Sequence, residues 1–99
     1  MRKGTTPTHS FVLPFSTGLI QEVEITYHQN GEEVLTKYKD DATFAGNTVS
    51  VTLTQDETFE FNEDVNVEIQ IRVLTSEGMV AASDIIRIGC NRCLSNEVL

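Results

Sequence analysis

The chain contains no tryptophan, only two prolines and two cysteines, and seven Lys and Arg against fifteen Asp and Glu. Each shortage excludes something. The formal charge of −8 is built from acids spread along the chain. It argues against nucleic acid as a ligand, because that binding depends on basic side chains displacing counterions from phosphates. The same sign argument disfavours an anionic membrane surface. Five Phe, two Tyr and no Trp leave no obvious stacking platform for bases, and they weaken a carbohydrate-binding reading as well. No apolar run approaches the roughly eighteen residues of a membrane-crossing helix. The opening "MRKGTTPTHSFVLPF" has a basic Arg2-Lys3 pair, but neither the apolar stretch nor the small-residue cleavage site of a secretory signal. The expectation is synthesis and retention in a cytosol that keeps thiols reduced, unless the protein leaves as part of a larger particle.

What is present is alternation. In "VNVEIQIRV" the residues Val65, Val67, Ile69, Ile71 and Val73 alternate with polar ones, the signature of a strand buried on one face. "LIQEVEITYH" repeats the pattern, with Leu19, Val23, Ile25 and Tyr27 on one face and Glu22, Glu24, Thr26 and His28 on the other; Gln21 is a polar intruder. "NTVSVTLT" does so again through Val49, Val51 and Leu53. Asn30-Gly31 predicts a type I′ hairpin leading into a strand at about 32–39 with Val34, Leu35 and Tyr38. "FVLPF" predicts a first strand that Pro14 confines to an edge, an end or a bulge. Met79 to Ile88 reads as one last strand, covered on both sides or at a partner interface. Thr54-Gln55-Asp56-Glu57 matches a capping box, so 54–60 is expected to be one helical turn crossing between sheets and pinning an aromatic; Phe59 and Phe61 on a short strand is the alternative. Ninety-nine residues, 39% hydrophobic, fit one domain. Six or seven short strands then predict an all-β antiparallel sandwich over 9–93, with a small barrel as runner-up and residues 1–8 and 94–99 as mobile arms.

Few constellations could carry chemistry. Cys90 and Cys93 form a Cys-x-x-Cys pair, but a structural zinc needs four ligands. The only imidazoles are His9 and His28, so a Cys90/Cys93/His9/His28 site requires the first strand to run beside the last. A redox pair needs Cys90 at a helix start, where the dipole favours thiolate; the chain before it reads as β. The plainer reading is a strand end with Cys90 buried as a small hydrophobe. The acid pairs Glu32-Glu33, Asp40-Asp41 and Glu63-Asp64 fall at predicted turns and lack the oxygen spacing of a calcium loop. No nucleophile elbow accompanies the serines. No cofactor, small-molecule substrate or enzymatic activity is implied. An interaction surface has more support: Ile85, Ile86 and Ile88 in the last strand, with Leu94, Val98 and Leu99 in "LSNEVL", offer apolar side chains for a partner.

The segments "VEITYHQNGEEVLTK", "GNTVSVTLTQDETFEF" and "VEIQIRVLTSEGMVAASDIIRI", with the terminal "LSNEVL", resemble small proteins encoded in prophages and phage-like elements of Gram-positive bacteria. More loosely, the strand layout is similar to the immunoglobulin-like N-terminal domain of phage upper-baseplate proteins. The resemblance implies an immunoglobulin-like sandwich made in a bacterial cytoplasm and associated with a virion. Its role there would be structural or adaptor, docking onto copies of itself or other phage structural proteins. It carries no active-site motif onto this chain, and it does not require the cysteines.

Overall fold

The alternation read in 65–73 forms the centre of the larger sheet. In the computed structural model, which describes residues 1–99, β6 (Val67–Thr75) buries Val67, Ile69, Ile71 and Val73. β2 (Ile20–Gln29) pairs with it antiparallel, setting Val23 opposite Val73, Ile25 opposite Ile71 and Tyr27 opposite Ile69. These apolar cross-strand pairs fix the register, since a one-residue slip would expose every one of them. β3 (Glu32–Tyr38) returns from β2 through Asn30 and Gly31, both at positive φ as the expected hairpin requires. β7 (Val80–Ala82) and β8 (Ile86–Ile88) lie along the far side of β6. The result is a five-stranded sheet ordered β3-β2-β6-β7, with β8 beside β6.

A second sheet, ordered β1-β5-β4, comprises β1 (Thr8–Val12), β4 (Ala42–Ala45) and β5 (Thr48–Thr52). Its Phe11, Val49 and Val51, extended by Leu13 and Leu53, close the core against β2 and β6. Helix α1 (Gln55–Phe59) carries the chain from β5 back to β6. The capping box is present as read: the Glu57 N–H donates to Thr54 Oγ1, and the Thr54 N–H donates to Glu57 Oε1. The aromatic delivered to the core is Phe61, which packs edge-on against Tyr27 at 5.9 Å.

In immunoglobulin domains strands B, E and D share one sheet while C′, C, F and G share the other. In chain order, β1 to β8 reproduce that arrangement, with β7 and β8 together in the place of G. The fold is an all-β antiparallel immunoglobulin-like sandwich, as expected. No strand occupies the place of A beside β1.

Several local expectations needed correction, two of them for a reason of register. Eight strands are found instead of six or seven. β4 was not foreseen, because "ATFA" is too short to show a period. The single last strand is two: residues 70 and 71 of β6 face three residues, 83–85, of the edge, a bulge. A second irregularity between Ile20 and Glu22 absorbs Gln21, so Ile20 is buried and Leu19 exposed. The first strand begins at Thr8, and Pro14 follows it. Within the expected mobile arm of residues 1–8, the first residues run parallel to the segment after β8 and Thr8 opens β1. The Lys3 N–H donates to Asn91 O at 3.0 Å, and the Asn91 N–H donates to Met1 O at 2.7 Å. The Gly4 N–H donates to buried Thr58 Oγ1.

Candidate interaction surfaces

The four residues of the hypothetical metal site do not converge. His9 lies on the inner face of β1, where its Nδ1 shares a 2.7 Å hydrogen bond with the Tyr27 hydroxyl across the sandwich. His28 follows Tyr27 in β2 and so points to the opposite, outer face of the large sheet. Cys90 is buried and Cys93 half-buried, both as free thiols. Cys93 packs beside Gly4, where an added Cβ would sit 2.8 Å from the Phe59 ring and 3.3 Å from Cys93 Sγ. Burial pushes the Cys90 thiol up, away from the reactive thiolate a redox pair needs. No group of three or more His, Cys, Asp and Glu is placed to hold a metal ion.

The His9–Tyr27 pair ties the two sheets together. Loss of solvent, and secondarily the positive amino terminus, hold the His9 imidazole below its ordinary value of 6.5. Loss of solvent, with Glu57 nearby, raises the Tyr27 phenol. Both are therefore neutral at pH 7. Farther along this flank, Lys37 Nζ of β3 reaches Glu57 Oε2 of α1 at 2.6 Å. Desolvation alone would raise the Glu57 carboxyl, but hydrogen bonds from Lys37 and Thr54 and the Lys37 charge outweigh it and bring it below 4.5.

The outer face of the five-stranded sheet is mixed. Glu24 and Arg72 pair at 3.3 Å, as do Glu68 and Arg87 at 3.1 Å. Toward one end, Glu22, Glu24, Tyr38, Arg72, Leu74 and Val80 line an open depression of about 400 Å³. Tyr38 and Val80 are well exposed there, as is Met79, the residue before Val80. The sequence marks Tyr38 as a strand residue, and Met79 and Val80 as part of a last strand covered on both sides or at a partner interface. The outer face of the small sheet is different, because Thr8, Ser10, Val12, Thr43, Thr48, Ser50 and Thr52 carry no charge. Hydroxyl bonds link Thr8 to Thr52 at 2.7 Å and Ser10 to Ser50 at 2.8 Å.

The six apolar residues expected at an interface do not form one patch. Ile86 and Ile88 stand opposite Ile69 and Val67 on the inner face, and Ile88 packs against the core. The bulge turns Ile85 outward, beside Thr26, His28 and Gln70. Leu94 and Leu99 are almost wholly exposed and Val98 is half so. The tail nevertheless returns to the domain: the Leu99 N–H donates to Gln55 Oε1 at 2.8 Å, and Gln55 Nε2 donates to Leu99 O.

No helix is long and apolar enough to cross a membrane. No family model matches the chain, and no curated protein matches it. Among solved structures the chain is similar to the V domain of amphioxus IgVJ-C2, with 12% identity and a TM-score of 0.39 over 92% of this chain and 95% of that one.

Proposed function

We propose that the protein is a non-enzymatic structural or adaptor module of a phage tail or baseplate-type assembly, acting through contacts with other structural proteins. The observation that carries the docking role is apolar surface left uncovered on a well-tied sandwich: Tyr38, Met79 and Val80 at one end of the large sheet, and Leu94, Val98 and Leu99 in the tail. Exposed apolar clusters rimmed by charge are the ordinary mark of a contact site. The choice of assembly comes from the resemblance of the strand segments to prophage-encoded proteins. Light scattering on the purified protein, alone and mixed with the structural proteins encoded beside it, tests the reading. A defined oligomer or a stable complex is expected. A monomer at high concentration that binds none of those proteins would overturn it.

A further inference from the structure

The sandwich has four exposed strand edges, and three are defended against pairing with another chain. β3 carries Glu32, Glu33 and Lys37 and a register shift opposite Tyr27 and His28. β4 is four residues long and preceded by Asp40 and Asp41. The β7–β8 edge is broken by its bulge and carries Asp84 and Arg87. Charges, bulges and short length are the usual ways of blunting an edge. β1 has none of them: Thr8–Val12 is five residues in unbroken register with β5 and bears no formally charged side chain.

The backbone of β1 is presented for use. The Leu13 N–H donates to Asn47 O at 2.8 Å and the Leu53 N–H donates to Pro7 O at 3.0 Å. These bonds fix the odd-numbered residues of β1 as the ones hydrogen-bonded to β5. The N–H and C=O groups of Thr8, Ser10 and Val12 therefore point away from the sheet, at the place an immunoglobulin A strand would fill. At the Val12 end of this edge, between the two sheets, lies a groove of about 190 Å³ lined by Val12, Leu13, Phe15, Ile71, Val73 and Ala81. Leu13, Ile71 and Val73 belong to the core, so the groove is a gap in the side of that core.

The charge pattern selects the occupant. A second copy would bring another −8 to a chain already at −8, whereas the groove itself holds no charge to meet a buried ionic group. Resting on the docking-module reading, we propose that β1 and its groove accept an extended strand from a different protein, aliphatic where it faces the groove and flanked by basic residues. The strand adds to β1 through main-chain hydrogen bonds, and its inward side chains fill the groove.

The test uses the full chain and a soluble peptide of alternating valine and threonine flanked by lysines. Amide hydrogen exchange is followed by NMR. At saturating peptide, exchange at Thr8, Ser10 and Val12 should slow by about tenfold or more. Ser10→Pro should weaken binding by a similar factor, since it removes an N–H that only the added strand uses. Ala81→Asp, which sets a carboxylate in the groove and leaves the β1 sequence unchanged, should do the same and serves if the proline variant does not fold. Unchanged exchange at the three amides, or equal binding by the folded variants, would overturn the proposal. So would protection of those amides that appears in the free protein as its concentration rises, because a second copy would then be the occupant. Phage structural proteins that still bind Ser10→Pro and leave the β1 amides unprotected would sink this inference while leaving the docking role standing. No complex of any kind would sink both.

Discussion

The two flanks of the sandwich are built differently. On one flank, the Lys37–Glu57 pair, the capped α1 and the Phe61–Tyr27–His9 cluster, with His9 reaching in from the inner face of β1, join the sheets through a hydrogen bond, an ion pair and a buried aromatic contact. On the opposite flank, past Val12 at the end of β1, mostly apolar walls face each other across a groove. The contrast teaches that this small domain concentrates its specific contacts on one flank and leaves the other available. Substitutions on the tied flank should therefore be expensive in stability, and those on the open edge nearly silent.

The largest effect is expected at Phe61. It is almost wholly buried against Tyr27, and Phe61→Ala should destabilise by about 3–5 kcal/mol through lost burial and a cavity. Denaturant unfolding with an unchanged slope measures it. A loss below about 1 kcal/mol would mean that the tied flank does not carry the stability assigned to it.

Tyr27 comes next. Tyr27→Phe keeps the ring but removes the partner of His9 Nδ1, at about 1–3 kcal/mol. The pair also sets two pH limits. His9 is held below 6.5 when folded, so the unfolded chain binds the proton first. Stability should fall as pH drops below 6.5 and level off beneath the folded value. The Tyr27 phenol is raised above 10, so the unfolded chain loses its proton first and stability should fall as pH rises past 10. His9→Gln should flatten the acid slope and Tyr27→Phe the alkaline one, both read from unfolding midpoints across pH.

Most of this flank was legible in the sequence, and the open one only in part. Tyr27 and Phe61 lie in or beside alternating runs, and Thr54 to Glu57 spell their capping box. What escaped is what irregular register decides. The doublets Val34-Leu35 and Ile85-Ile86, and the intruder Gln21, were the visible traces of three breaks in alternation. A strict period of two carried through them assigns the wrong face to every residue beyond. The nearly continuous apolar run to Ile88 reads as a strand covered on both sides or at a partner interface; the bulge instead turns Ile85 outward and sets Ile88 against the core. The β1 edge was half legible, because Pro14 left an edge, an end or a bulge open for the first strand. Whether a strand has one neighbour or two is settled by sheet order, which no local pattern records.

Glu57 gives a smaller and separable effect. Glu57→Gln should cost about 0.5–2 kcal/mol, because it removes the ion pair with Lys37 and weakens the cap. The carboxyl is held below 4.5 in the folded state, so its contribution is present above pH 4.5 and is lost as pH falls through the folded value. The variant should therefore match the parent more closely at pH 3 than at pH 7. A constant difference across that range would mean that packing, not charge, closes the flank.

The smallest effect is the most discriminating, and it comes from placing one substitution at two facing residues. Ser10 and Ser50 stand opposite each other and share a hydroxyl bond, so proline at either position removes the same side-chain contact. The backbone consequences differ. The Ser10 N–H points to the empty edge, whereas the register turns the Ser50 N–H toward Thr43 of β4. Ser10→Pro should change stability by no more than about 0.5 kcal/mol. Ser50→Pro should cost about 1–3 kcal/mol or more through the lost ladder bond. Equal losses would show that the β1 N–H groups are already engaged, and the edge would no longer be open to a partner strand.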